Sequence, residues 1–119
     1  MKLPDDRQKV SLLMEEAARG DARAQRLLAL RYWRGRGVTQ NIELAAQWMK
    51  QAAAQKLALA ERDLAGFYHQ GIGVECDPNE ALRLFRLAAH QGDPIAKQFI
   101  RGNNENPSIE ITRLRSKTD

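Results

Sequence analysis

The sequence predicts an all-α solenoid, a stack of short helices joined by tight turns, and two observations carry this prediction. First, the stretch from Ala60 to Gly73, extended by Val74, repeats an earlier stretch at a fixed offset of thirty-six residues. The repeated residues are Ala60, Leu64, Ala65, Tyr68, Gly71, Gly73 and Val74, which match Ala24, Leu28, Ala29, Tyr32, Gly35, Gly37 and Val38. Second, the chain is 43% apolar but only 6% aromatic, so its core must consist of many small Ala and Leu side chains. Repeats of this length are typical of stacked-helix solenoids.

Helix start and stop signals divide the chain into six predicted helices. Asp21 and Asn41 can each accept hydrogen bonds from the free amides of the helix that follows, and Asp77 followed by Pro78 is the clearest such start. Glycine supplies the left-handed position at which a helix stops, as at Gly35 and at Gly71 thirty-six residues later. The predicted helices span residues 7–19, 22–34, 42–55, 58–70, 78–91 and 94–101.

The recurring small residues have a packing role. Ala24, Ala60 and Ala96 form a series at the same offset, and they are small enough for adjacent helices to approach closely. Gly37 and Gly73 follow the helix-ending glycines by two residues, and we expect them to let each turn pass close to a neighbouring backbone.

Charge and cysteine content restrict the function. The net charge of +4 and a pI near 9.6 favour an acidic partner, and five arginines against one acidic residue lie between Asp21 and Arg36. A net charge of +4 is lower than expected for a nucleic-acid-binding domain, so nucleic acid is the less favoured partner. Cys76 is a single cysteine, which excludes an internal disulfide framework and a multi-cysteine metal site.

The N-terminal residues and the hydropathy pattern predict a cytoplasmic protein. Residues 1–6 include three charged side chains and lack the apolar core of a signal peptide. No apolar run approaches the roughly 20 residues that a membrane-spanning helix needs. We therefore expect neither secretion nor a membrane span.

The repeat pattern stops after Gly102, which predicts a repeat domain over residues 1–102 and a C-terminal tail over 103–119 that is partly disordered or caps the solenoid. Ile109, Ile111 and Leu114 fit either a strand or one helical turn. The apolar end of the last helix, Ile95, Phe99 and Ile100, is expected to be covered either by this tail or by a second subunit.

The repeating pattern resembles the Sel1-like repeat, a relative of the tetratricopeptide repeat. The pattern is A-x-x-x-L-A-x-x-Y-x-x-G-x-G-V, followed by an acidic start and a helix ending in a pair of alanines, and it covers about Arg7 to Arg101. The first copy departs from the pattern at Asn41, where Asp is favoured, and at Lys56, where Gly is favoured. The resemblance implies a right-handed α/α solenoid of about two and a half repeats that acts as an adaptor or scaffold in protein complexes.

A partner face follows from this resemblance, because the first helix of each repeat in the family lines the concave side. We define the predicted partner face as the residues opposite the packed side of those helices. They are Arg23, Arg26, Leu27, Leu30, Arg31, Arg34, Leu59, Arg62, Asp63, Phe67, Gln70, Ile95, Gln98 and Phe99. The face is expected to be basic at one end and apolar at the other, although Phe67 fits a packing role between helices better than the role of an anchor.

The sequence favours a non-enzymatic module that binds a protein or peptide partner. His69 and His90 stand alone on different helices, Gly71-Ile72-Gly73 follows a helix instead of a strand, and no nucleophile motif is present. We therefore predict no catalytic residue, no cofactor and no metal. Two alternatives stay open: an arginine-led binder of nucleic acid or another anionic surface, and a homo-oligomer formed through the C-terminal end.

Overall fold

The structure is a computed structural model that describes residues 2–103. Its helices are α1 (Asp6–Ala18), α2 (Ala22–Arg34), α3 (Ile42–Ala54), α4 (Ala58–Gln70), α5 (Pro78–His90) and α6 (Pro94–Asn103). Residues 2–103 contain no strand, and the main packing contacts join each helix to the next along the chain. The predicted all-α repeat fold is thereby confirmed.

The helix boundaries agree with prediction to within two residues, and the differences have local causes. α1 begins at Asp6 instead of Arg7, because Asp5 and Gln8 form a reciprocal capping box in which each side chain accepts from the other's backbone N–H. α6 continues to Asn103, whose side chain donates to the carbonyl oxygen of Phe99. The predicted alternatives for the segment containing Ile109, Ile111 and Leu114 lie outside the described residues.

The predicted N-caps are confirmed at three helices. Asp21 accepts from the backbone N–H of Ala24 at 3.0 Å, and Asn41 accepts from that of Leu44 at 3.0 Å. Asp77 accepts from two amides of α5 at 3.1 Å each, with proline at the start of the helix. Each side chain satisfies amide donors that a helix cannot pair internally, so the helices start where the sequence requires.

The four turn glycines have the two roles expected of them. Gly35 and Gly71 end α2 and α4 in the left-handed conformation, with φ values of 67° and 73°. Gly37 and Gly73 also have positive φ, and a Cβ on either would overlap the carbonyl group of a preceding helix, that of Asp6 for Gly37 and that of Ile42 for Gly73. The turns therefore touch neighbouring backbone directly.

A glutamine contact joins α2 to α3, and an equivalent one thirty-six residues later joins α4 to α5. The Nε2 of Gln55 donates to the Oε1 of Gln25 at 3.0 Å and to the carbonyl oxygen of Gly20 at 2.8 Å. Thirty-six residues later, Gln91 donates to Glu61 at 2.7 Å and to the carbonyl of Lys56 at 3.0 Å. Gln25 and Glu61 are buried, so these bonds satisfy polar groups that the helix stack removes from water.

Lys56 has a strained backbone, with φ of 64°, where the equivalent positions hold Gly20 and Gly92 with φ of 96° and 100°. We expect Lys56→Gly to raise the free energy of unfolding by about 1 kcal/mol, because a left-handed conformation penalises a residue that carries Cβ. Urea denaturation measures this change. Lys56→Ala is the control, since it removes the lysine side chain but keeps Cβ, and equal stability of the two variants would contradict the prediction.

Candidate interaction groove

A shallow cavity of about 230 Å³ lies where α2, α4, α5 and α6 meet. We call it the groove. Its lining residues are Leu30, Trp33, Arg62, Asp63, Gly66, Phe67, Gln70, Ile72, Phe85 and Ile95. Six residues of the predicted partner face are among them, namely Leu30, Arg62, Asp63, Phe67, Gln70 and Ile95. The other eight predicted residues, which lie outside this cavity, are Arg23, Arg26, Leu27, Arg31, Arg34, Leu59, Gln98 and Phe99.

A chain of ion pairs runs along one side of the groove, from α2 across α4 to the start of α6. Arg26 Nε lies 2.6 Å from Asp63 Oδ2, and Arg62 lies 3.2 Å from the other oxygen of Asp63 and 3.3 Å from Asp93. Asp93 also accepts from the backbone N–H of Ala96 at 2.8 Å, which caps α6. Two positive and two negative side chains thus balance one another on this side.

Two of the arginines at the expected basic end are paired with carboxylates from other helices. Arg26 is paired with Asp63, and Arg31 lies 3.0 Å from Asp6. Hydrogen bonding from Arg31 lowers the pKa of Asp6 below its ordinary value, with a smaller contribution from Arg36. Sequence spacing along α2 could not reveal these partners, because they come from other helices.

Two other arginines of α2, Arg23 and Arg34, differ in their surroundings from Arg26 and Arg31. Arg23 is exposed, and among residues 2–103 neither it nor Arg34 forms an ion pair. The guanidinium of Arg34 lies 4.8 Å from the ring centroid of Trp33, in a cation–π contact. The positive charge of α2 is thus reduced to two separated groups.

Aromatic side chains form the floor of the groove. Phe67 is only 3% exposed and packs against Trp33, with ring centroids 5.7 Å apart, so it supports the floor and does not project as an anchor. Phe85, which also lines the groove, stacks on Phe99 with ring centroids 3.8 Å apart. Trp33 is absent from the predicted partner face, although its spacing of three residues from Leu30 places both side chains on one side of α2.

The histidines and the cysteine are dispersed. His69 packs edge-on against Phe99 with centroids 5.2 Å apart, and the exposed Cys76 donates through Sγ to the carbonyl oxygen of His69 at 3.4 Å. Within residues 2–103, no three His, Cys, Asp or Glu side chains converge as metal ligands would. The helices of the same range include none with the length and apolar character needed to cross a membrane.

Comparison with known families decides which repeat this is. The profile of the Sel1 repeat matches residues 22–57 and 58–93. The chain belongs to the Sel1 repeat family. Each matched Sel1 repeat begins at the first residue of a helix, α2 or α4, and includes the next helix, and the second match ends directly before α6.

Solved structures of Sel1-like repeat proteins are similar to this chain. The Sel1 repeat protein from Oxalobacter formigenes has 38% sequence identity and a TM-score of 0.79, over 81% of this chain and 28% of that protein. A protective antigen of uropathogenic Escherichia coli has 38% identity and a TM-score of 0.76, over 79% of this chain and 20% of the antigen.

A more distant structure shares the fold of this Sel1 repeat chain. Cysteine rich protein B of Helicobacter pylori has 21% identity and a TM-score of 0.72, over 76% of this chain and 68% of that protein. The present chain spans less than a third of the two structures at 38% identity. No match was found among curated protein sequences.

Proposed function

We propose that this Sel1 repeat chain is a non-enzymatic adaptor that holds a peptide segment of a protein partner in the groove. Sel1 repeat proteins are generally protein-interaction scaffolds. The observation that carries the proposal is a helix glycine, Gly66, which lines the groove together with the apolar side chains of Leu30 and Ile95. Ile95 is 54% exposed, so it can bury apolar surface only against another molecule or segment.

Gly66 supports a binding role because packing among the described residues does not require it. It lies in the interior of α4, where glycine costs roughly 0.5–1 kcal/mol relative to alanine. A Cβ at this position would meet no atom within 4 Å, so the described residues leave room for a side chain. The first repeat has Leu30 at the equivalent position. A partner backbone that approaches α4 closely would account for glycine here.

We expect Gly66→Ala to raise the free energy of unfolding by about 0.5–1 kcal/mol, because it removes the conformational freedom of glycine without a clash. Urea denaturation measures the stability. The same variant should bind a groove partner more weakly, since the added methyl group occupies the space of the partner. A loss of stability would show that Gly66 is needed by the fold itself.

Affinity capture with mass spectrometry tests the groove with a matched pair of variants. Ile95→Glu places a charge in the groove, whereas Leu12→Glu places the same charge on α1, and the two wild-type side chains are 54% and 52% exposed. Ile95→Glu should lose partners that the wild type and Leu12→Glu both retain. Recovery of the same proteins by all three baits would refute binding in the groove and would not bear on the fold.

The ion pairs favour a protein partner over an anionic surface. Arg26, Arg31 and Arg62 are paired with carboxylates, so they are not free to contact phosphate. Binding of nucleic acid would fall steeply with ionic strength, whereas a groove lined by Leu30, Trp33 and Ile95 should keep its affinity. Light scattering at high protein concentration tests the remaining alternative, a homo-oligomer.

A further inference from the structure

A second and larger cavity, of about 610 Å³, lies between α3 and α5 on α4. We call it the α3/α5 cleft. Its lining residues are Lys50, Ala53, Ala54, Lys56, Glu61, Leu64, Tyr68, Glu80, Arg83, Leu84, Leu87, His90 and Gln91. Its volume is in the range of roughly 300–1,000 Å³ that is typical of binding pockets.

The cleft and the groove use opposite faces of α4. The cleft is lined by Glu61, Leu64 and Tyr68, whereas the groove is lined by Arg62, Gly66 and other residues of the same helix. At about 100° per residue, the centres of these two sets lie on opposite sides of the helix axis. The cleft is therefore a separate site, and its failure would leave the groove proposal standing.

Comparison of the two repeats shows why the cleft is open. Leu84 lies where the first repeat has Trp48, and the larger side chain packs against the cluster that contains Val10 and Leu28. Replacing tryptophan with leucine at this position removes the bulk that would fill the second site. The cleft thus results from a residue difference between copies of one repeat.

The same comparison shows that polar and charged side chains surround this opening where the positions thirty-six residues earlier are uncharged. Lys50, Glu80 and His90 occupy positions whose equivalents thirty-six residues earlier are apolar, and Lys56, Glu61 and Arg83 occupy positions whose equivalents are uncharged. The equivalents of these six are Met14, Leu44, Ala54, Gly20, Gln25 and Gln47. An open, apolar cleft with charged edges points to recognition of an amphipathic ligand.

Pairing among the lining charges leaves the lysines free. Arg83 lies 2.7 Å from Glu80, and its hydrogen bond lowers the pKa of Glu80 below the ordinary value. Glu61 is buried and accepts a hydrogen bond from Gln91 at 2.7 Å. Among residues 2–103, neither Lys50 nor Lys56 forms an ion pair, so both can contact an anionic group in the cleft.

The lining pattern sets the chemistry of the occupant. Leu87, which is 41% exposed, supplies accessible apolar surface, whereas Leu64 and Leu84 line the cleft as buried core residues. Lys50 Nζ lies 5.9 Å from the ring centroid of Tyr68, which places a cation beside an aromatic wall. An occupant with carboxylates beside aliphatic side chains would match both features.

The length of the cleft favours an extended peptide over a compact molecule. Along α5 the lining runs from Glu80 to Gln91, which corresponds to about 16 Å at 1.5 Å per residue. An extended chain covers this distance in about five residues. We infer that the α3/α5 cleft binds an extended segment of a partner protein in which glutamate or aspartate alternates with aliphatic residues.

A defined probe tests this assignment. A terminally blocked hexapeptide of alternating glutamate and leucine is titrated into the ¹⁵N-labelled full chain, and amide chemical shifts are followed by NMR. Shifts should concentrate at the end of α3 and along α5, at residues such as Ala53 and Leu87, and a lysine–leucine peptide should cause none there. Shifts confined to α2 and α6, or no shifts at all, would overturn the assignment.

Two kinds of variant separate binding from folding. Leu84→Trp copies the residue that the first repeat carries at this position, so it should fold and abolish the shifts. Lys50→Glu should weaken binding of the peptide and raise its Kd by about tenfold. Lys97→Glu is its matched control, because Lys97 is an exposed lysine outside the cleft. Equal affinity of the wild type, Lys50→Glu and Lys97→Glu would refute the assignment, whether or not Leu84→Trp folds.

Discussion

Gly73→Ala is expected to lower the free energy of unfolding by about 2–4 kcal/mol. The added Cβ would overlap the carbonyl group of Ile42, which is helix backbone and cannot move aside as a flexible side chain can. The substitution also places a Cβ on a residue whose φ is 66°. Chemical denaturation measures the loss, and the helical circular dichroism signal should disappear at a lower temperature than in the wild type.

The matched control is Gly71→Ala in the same turn. Gly71 also has positive φ, at 73°, but the nearest atom to its Cβ would be 3.6 Å away, which is an ordinary contact. This variant should lose only about 1 kcal/mol, from backbone strain alone. The difference between the two variants therefore measures the close approach of the turn to α3. Equal losses would contradict the role that the structure gives to Gly73.

Phe67→Ala is expected to lower the free energy of unfolding by about 3–5 kcal/mol, because it leaves a cavity under the groove. Phe67 is 3% exposed and contacts the ring of Trp33. Urea denaturation measures the effect. Leu59→Ala is the control on the same helix, where a 40% exposed side chain should contribute about 0.5 kcal/mol or less. A small effect at Phe67 would show that its ring is not part of the core.

This result determines how the groove can be studied. A loss of binding in Phe67→Ala would reflect partial unfolding as well as the loss of a contact. Ile95→Glu avoids this ambiguity because its side chain is more than half exposed.

The fold could be predicted because the repeat signal is local. Asp21, Asn41 and Asp77 act on amides of the next helical turn, and Gly35 and Gly71 act on the backbone of their own turn. Such effects depend on residues that are close in the sequence. A constant offset then indicates that the same local structure recurs.

Contacts between side chains of different helices could not be predicted in the same way. The contact of Arg26 with Asp63 joins residues of successive repeats, and the latter position holds Leu27 in the first copy, so the offset offers no guide to it. The bond from Gln55 to Gln25 likewise depends on how two helices are placed side by side. These contacts decide which arginines stay free, and so the charge of the partner face could not be read from composition.

One sequence difference between the repeats marks the α3/α5 cleft, although a search for identical residues passes over it. The offset comparison pairs Trp48 with Leu84, and the loss of volume at that position is visible in the sequence. The structure adds that the two side chains face equivalent spaces between helices, so the smaller one is next to a cavity. Differences between repeat copies are therefore as informative about sites as identities are about fold.

The packing of each helix mainly on its chain neighbours gives the molecule an uneven resistance to local opening. α3 and α4 each pack against helices on both sides, whereas in residues 2–103 α6 packs chiefly against α5 alone. Amide hydrogens in α6 should therefore exchange with solvent faster than those in α4. The groove includes residues of α4 and α6, so a partner that bridges them contacts one helix packed on both sides and one packed chiefly on α5. The free energy of binding such a partner includes the free energy needed to keep α6 packed on α5. A bound partner should therefore slow amide exchange most in α6.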